Sequence, residues 1–148
     1  VKNILLVDDD PGVREVLGRV LESENYRVKC ATNEREATAA FRAEPPELVL
    51  LDLSMPGSDG WTAFRHMNEI HPFIPIIVIT ARPNQYRQAV DLAVDALMEK
   101  PLDLPVLLEA IRGFISETEV ERTRRLINPD FKTTFLKITS NPADLTLV

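Results

Sequence analysis

Cysteine, glycine and aromatic residues are scarce in this 148-residue chain, which has one Cys, five Gly, one Trp and two Tyr. The lone Cys30 excludes an internal disulfide and suits a reducing compartment. Its apolar neighbours predict a small core side chain instead of a reactive thiol. No apolar run approaches the ~20 residues of a membrane span. The amino-terminal segment runs into acids instead of a cleavage site, so a soluble cytoplasmic protein with no membrane partner is expected. An excess of basic charge is also missing. The formal net charge is -6 and the pI about 5.0, which argues against direct nucleic-acid binding, where clustered Lys and Arg are needed. What is present is 45% hydrophobic, enough for one compact domain and a tail.

Short apolar runs alternate with amphipathic stretches. Ile4 to Val7, Leu48 to Leu51 and Ile76 to Ile79 are unbroken, the pattern of strands buried on both faces of a parallel sheet. Tyr26 to Ala31 alternates Val28 and Cys30 with Arg27 and Lys29, as an edge strand would, and Ala96 to Met98 is a short fifth strand. Between them, Val13, Val16, Leu17, Val20 and Leu21 recur at helical spacing behind an Asp10 N-cap and Pro11. Glu34 to Ala43 is a weaker helix. Trp61, Phe64, Met67 and Asn68 share related turns of the next, capped by Ser58 or Asp59. Gln85 to Val94 is a fourth, and Leu104, Leu107, Leu108, Ile111 and Ile115 mark a fifth. Strands alternating with helices give an α/β fold with a doubly wound parallel sheet.

Beyond Ser116 the pattern weakens. Glu121 is spaced to pair with Arg125, and the fifth helix is expected to run on toward Ile127, where Asn128-Pro129 stops it. Phe131, Phe135, Leu136, Ile138, Leu145 and Leu147 make the last stretch too apolar for a purely disordered linker. It should dock on the domain, on a second copy as a homodimer contact, or on another protein.

Polar groups end four of the strands: Asp8 and Asp9, Asp52, Thr80, and Lys100. In a parallel sheet these ends share one rim, where ligands of open α/β sheets bind. Clustered carboxylates repel one another, and an oxygen-seeking divalent cation resolves the repulsion; Mg2+ suits the count. With a cation and the Lys100 ammonium to neutralise an incoming phosphoryl group, one carboxylate can attack phosphorus. Thr80 could donate a hydrogen bond to a phosphoryl oxygen. His66 and His71, five residues apart, fall on different helix faces and make a poor metal pair.

These residues, together and in order, resemble the receiver domain of two-component response regulators. The marks are Asp8-Asp9, Asp52 within Leu51-Asp52-Leu53-Ser54-Met55-Pro56-Gly57, Thr80-Ala81 and Lys100-Pro101. The resemblance covers about residues 2 to 116 and divides the chain into a receiver domain, 1–116, and an extension or linker, 117–148. It implies a flavodoxin-like five-stranded sheet of order 2-1-3-4-5 with helices on both faces. It implies that Asp52 is the phosphoacceptor, that Asp9, Asp52 and the Ser54 carbonyl bind Mg2+ directly, and that Asp8 acts mainly through water. Thr80 and Lys100 would contact the phosphoryl group, and the Lys100-Pro101 bond would be cis.

The implied partner is a sensor histidine kinase or a phosphotransfer protein, with an output domain or downstream protein unnamed by the sequence. The domain would catalyse only its own phosphotransfer and dephosphorylation. Two departures stand out. Receivers usually carry Phe or Tyr three residues before the Lys, and this chain has Leu97; the usual Gly-Ala before the fifth strand is Ala93-Val94. Two other readings compete: a pseudo-receiver that binds a partner without phosphorylation, and a haloacid dehalogenase-type phosphatase with Asp8 as nucleophile beside Asp10, the Asp two residues on.

Overall fold

The computed structural model describes residues 1–55, 59–139 and 145. In chain order the elements are β1 (Lys2–Val7), α1 (Pro11–Ser23), β2 (Tyr26–Ala31), α2 (Glu34–Ala43), β3 (Leu48–Asp52) and α3 (Gly60–Ile70). They continue with β4 (Ile76–Thr80), α4 (Tyr86–Asp91), β5 (Ala96–Glu99), α5 (Leu104–Ser116), α6 (Glu119–Ile127) and β6 (Thr134–Phe135). All pairings are parallel, in the order β2-β1-β3-β4-β5-β6. The expected order 2-1-3-4-5 is therefore present, extended by a short sixth strand.

The strand alternation splits the core in two. Leu5, Val7, Val49, Leu51, Val78 and Leu97 face Phe41, Trp61, Phe64, Met67 and Ala89 of α2, α3 and α4. Ile4, Leu6, Leu48, Leu50, Ile77, Ile79 and Met98 face Leu17, Leu21, Leu107 and Ile111 of α1 and α5. Both faces being covered is why β1, β3 and β4 read as unbroken apolar runs. Each fully buried Leu or Ile stabilises the fold by roughly 1.5–3 kcal/mol.

The helices start where polar caps satisfy their first amides. Asp10 accepts from the Gly12 amide at 2.8 Å, and Asp59 accepts from the Trp61 amide at 3.1 Å. The other suggested cap, Ser58, lies outside the described residues, as does Leu147. At the start of α3, a Cβ on Gly60 would stand 2.5 Å from the Leu53 Cα and 2.9 Å from its carbonyl oxygen. Backbone meets backbone there, just past Asp52. Gly60→Ala should destabilise the protein by about 1–3 kcal/mol in urea unfolding, as overpacking does; an unchanged midpoint would mean that α3 does not approach this closely.

Several expectations are corrected. Cys30 is exposed, because β2 is the sheet's edge strand and the outer side of its carboxyl end has little cover. Asn68 faces outward on α3, unlike Trp61, Phe64 and Met67. The fourth helix is shorter than expected, ending at Asp91. The Val94 amide bonds the Ala89 carbonyl and the Ala93 amide bonds the Val90 carbonyl, with Ala93 left-handed at φ 58°. That motif favours Gly at this position, which gives the Ala93-Val94 departure a physical meaning.

The fifth helix does not run on. It stops at Ser116, and Thr118 starts a separate helix by accepting from the Glu121 amide at 3.1 Å. The Thr118 hydroxyl also donates to the Glu121 carboxylate, which occupies Glu121 at the helix start. Arg125 accordingly pairs with Glu117 at 2.8 Å and Asp95 at 2.8 Å. Its guanidinium also stacks over the Phe114 ring at 5.0 Å.

The highly charged helix α6 hides a buried charge. Arg122 is 4% exposed and grips Asp95 through Nη1 at 2.5 Å and Nη2 at 3.2 Å, while Nη2 also donates to the Pro72 and Ile74 carbonyls. Asp95 in turn accepts from the Ile76 amide at 2.9 Å. The segment after Ser116 is thus fastened to the amino ends of β4 and β5.

Candidate functional site

The carboxyl ends of β1, β3, β4 and β5 bring their polar residues together. Asp8 is fully buried and Asp52 nearly so, whereas Asp9 is half-buried. One carboxylate oxygen from each of the three lies within 4.8 Å of the others. The Lys100 ammonium spans two of them, 3.4 Å from Asp52 Oδ2 and 3.5 Å from Asp8 Oδ2.

Local structure explains each placement. Asp8 Oδ1 accepts from the Asp10 amide at 2.9 Å as the chain turns into α1, and Arg14, one turn into that helix, donates to the Asp8 carbonyl at 2.7 Å. Asp52 Oδ1 accepts from the Ser54 amide at 2.9 Å, which leaves Oδ2 toward Lys100. Ser54 itself is exposed on the same loop. The Lys100 amide donates to the Thr80 carbonyl at 2.8 Å, and the Lys100-Pro101 peptide is cis, as the resemblance implied.

Thr80 is fully buried, and its hydroxyl oxygen accepts from the Arg82 amide at 2.9 Å. The Arg82 guanidinium reaches back to the Leu53 carbonyl at 3.2 Å. Trp61 Nε1 donates to Gln85 at 3.0 Å, tying α3 to the start of α4. The sequence singled out neither Arg14 nor Gln85; the signal for Arg14 was a basic residue in the first turn after an acidic strand end.

The histidines stay apart from this rim. His66 pairs with Glu34 at 2.8 Å, and His71 closes α3. Asp10, which the phosphatase alternative pairs with Asp8, is exposed and holds its side chain on the Gly12 amide as a helix cap.

Three hard oxygen donors at this spacing fit a small divalent cation better than any softer metal. Asp8 reports the strain of the arrangement. Burial, opposed by the Asp10 amide and reinforced by the Asp52 charge, pushes its pKa up to about 6. A cation must displace that proton, so Mg2+ affinity should approach its full value about a unit above pH 6 and fall up to tenfold per unit below pH 6. Calorimetric titration between pH 5 and 8 checks this, and a flat profile would contradict it. For stability the sign is the same as for any acid whose folded pKa is raised: its contribution is present at low pH and lost as the pH rises through 6. Asp8→Asn should therefore raise the melting temperature of the metal-free protein at pH 7.

The response regulator receiver domain family model matches residues 4–112. Among curated proteins, the chain is 38% identical over 122 residues to the transcriptional regulatory protein AruR of Pseudomonas aeruginosa, covering 78% of this chain and 50% of that protein. It is 35% identical over 118 residues to the transcriptional regulatory protein GlrR of Escherichia coli, covering 78% and 27%. Among solved structures, the response regulator TrrA of Thermotoga maritima, in complex with Mg2+ and BeF, superposes with a TM-score of 0.71 at 32% identity. That match covers 77% of this chain and 99% of TrrA. The chain spans about half the length of the first of these curated relatives and about a quarter of the second.

Proposed function

Since this chain belongs to the response regulator receiver family, we propose that Asp52 accepts a phosphoryl group from a histidine of a sensor kinase or phosphotransfer protein. The receiver is a component of two-component signalling and not a classical enzyme. The observation that carries the proposal is the Lys100 ammonium set between Asp8 and Asp52, with three carboxylates converging.

Asp9, Asp52 and the Ser54 carbonyl would hold Mg2+ with the Asp8 carboxylate beside them, and the cation would supply charge neutralisation for the phosphoryl oxygens. Asp52 Oδ2 attacks phosphorus; the phosphorus–nitrogen bond of the donor breaks, and the imidazole leaves neutral, its other ring nitrogen keeping the proton it already carries. Lys100 stabilises the transferred oxygens by its charge, and Thr80 donates its hydroxyl to one of them. Water later attacks phosphorus and restores the carboxylate, so the chain catalyses only its own modification and its reversal. The exchange belongs to the cytoplasm, where kinases meet ATP. An output domain or separate protein reads the modified state.

Intact-protein mass after incubation with a small acyl phosphate tests the reading. With Mg2+ the chain should gain one phosphoryl unit, and with a chelator it should gain almost none. No gain in the presence of Mg2+ would favour the phosphorylation-independent alternative.

A further inference from the structure

We propose that residues 128–139 are an internal strap on the edge of β5, and that phosphoryl transfer to Asp52 loosens it; the inference rests on the phosphoacceptor reading above. The strap fastens to three elements. Its Thr134 amide donates to the Asp95 carbonyl at 3.0 Å and its Leu136 amide to the Leu97 carbonyl at 2.8 Å, which adds β6 to β5. Phe135 packs into the core on the α4 face and Leu136 into the core on the α5 face. The Thr139 amide donates to Asp103 at 2.9 Å, at the start of α5.

The third attachment is to α4. Tyr86 donates its hydroxyl to the Thr133 carbonyl at 2.8 Å, and the Thr133 hydroxyl donates to the Ala89 carbonyl at 3.1 Å. The Tyr86 and Phe135 rings meet edge to face at 5.6 Å. Phe135 is the register partner of Leu97 on β5, the strand position where an aromatic was missing.

α4 is the element through which the site can reach the strap. It is six residues long with no side-chain N-cap, so its own stability is low. The loop before it is held by contacts that a phosphoryl group contests: the Arg82 amide on the Thr80 hydroxyl oxygen, and the Arg82 guanidinium on the Leu53 carbonyl. An aspartyl phosphate adds negative charge and acceptor oxygens beside both groups. Thr80 and Arg82 turn toward it, Gln85 follows along the chain, and Tyr86 is drawn off Thr133. Contacts that the Arg82 loop keeps only while Asp52 is unmodified are what a two-state element requires. A two-residue strand held by a few bonds also sits at the labile end of local stability.

The test uses the full chain with Mg2+ and beryllofluoride as the phosphoryl mimic, followed by NMR. The Ser54 amide shift reports occupancy of the site, and hydrogen exchange at the Thr134 and Leu136 amides reports the strap. Occupancy should speed exchange at both amides by about tenfold or more, the range of a local opening, while Leu6 and Leu50 amides stay protected. Because coupling is reciprocal, Tyr86→Phe, which keeps the ring and removes the hydroxyl, should tighten beryllofluoride binding roughly threefold to tenfold. A shifted Ser54 amide with unchanged Leu136 exchange, or an affinity unchanged in Tyr86→Phe, overturns the strap and leaves the phosphoacceptor standing. No Ser54 shift removes both.

Discussion

Asp52→Asn should reduce the phosphoryl mass gain to background, a loss of at least about a thousandfold in rate for an attacking group. The amide oxygen of Asn carries no full negative charge and makes a poor nucleophile toward phosphorus. The substitution is nearly isosteric, and the Asn oxygen can still accept from the Ser54 amide as Asp52 does at 2.9 Å. Lys100 keeps Asp8 as a partner. The fold should therefore survive, and the metal-free variant should melt higher than the parent because one of three mutually repelling carboxylates is gone. Mass spectrometry and thermal melting read the two effects separately. A gain that persists in Asp52→Asn but disappears in Asp8→Asn would move the nucleophile to β1 and revive the phosphatase alternative.

Arg122→Ala should cost about 3–5 kcal/mol in urea unfolding, the range for breaking a buried ion pair. Removing this guanidinium leaves Asp95 buried with the Ile76 amide and the half-exposed Arg125 as its remaining partners. It also strips the Pro72 and Ile74 carbonyls of a donor. Asp95→Ala should cost a similar amount, and the double variant much less than the sum, since the two groups exist for each other. A change below about 0.5 kcal/mol, the usual range for surface substitutions, would show that α6 does not dock in solution.

The contrast between these two residues explains what the sequence could reveal. Asp52 was legible because its position follows from local pattern: an apolar run must be a buried strand, and a parallel strand must end on the shared rim. The same logic placed Asp8, Asp9, Thr80 and Lys100. Arg122 was not legible, because its burial depends on a partner 27 residues away and its neighbours Glu119, Glu121, Arg124 and Arg125 give the helix a solvated composition.

Two smaller failures had readable causes. Thr118 followed three residues later by Glu121 has the spacing of a helix start and marked the break between α5 and α6; the continuous charge disguised it. Cys30 looked like core by its neighbours, but an edge strand lacks one side of its surroundings. The sixth strand, two residues long, carries too short a pattern to be read at all.

Adding β6 beside β5 also changes how copies of this molecule meet. A sheet with a bare, neutral edge recruits strands from other molecules, and crowded chains stack edge to edge. Here one side of the sheet ends in two residues of the chain's own tail, and the other in β2, where Arg27 and Lys29 project into solvent. A basic margin at one end and a self-supplied cover at the other leave little template for fibrous growth. Opening the covered side would make the chain more prone to stick to itself.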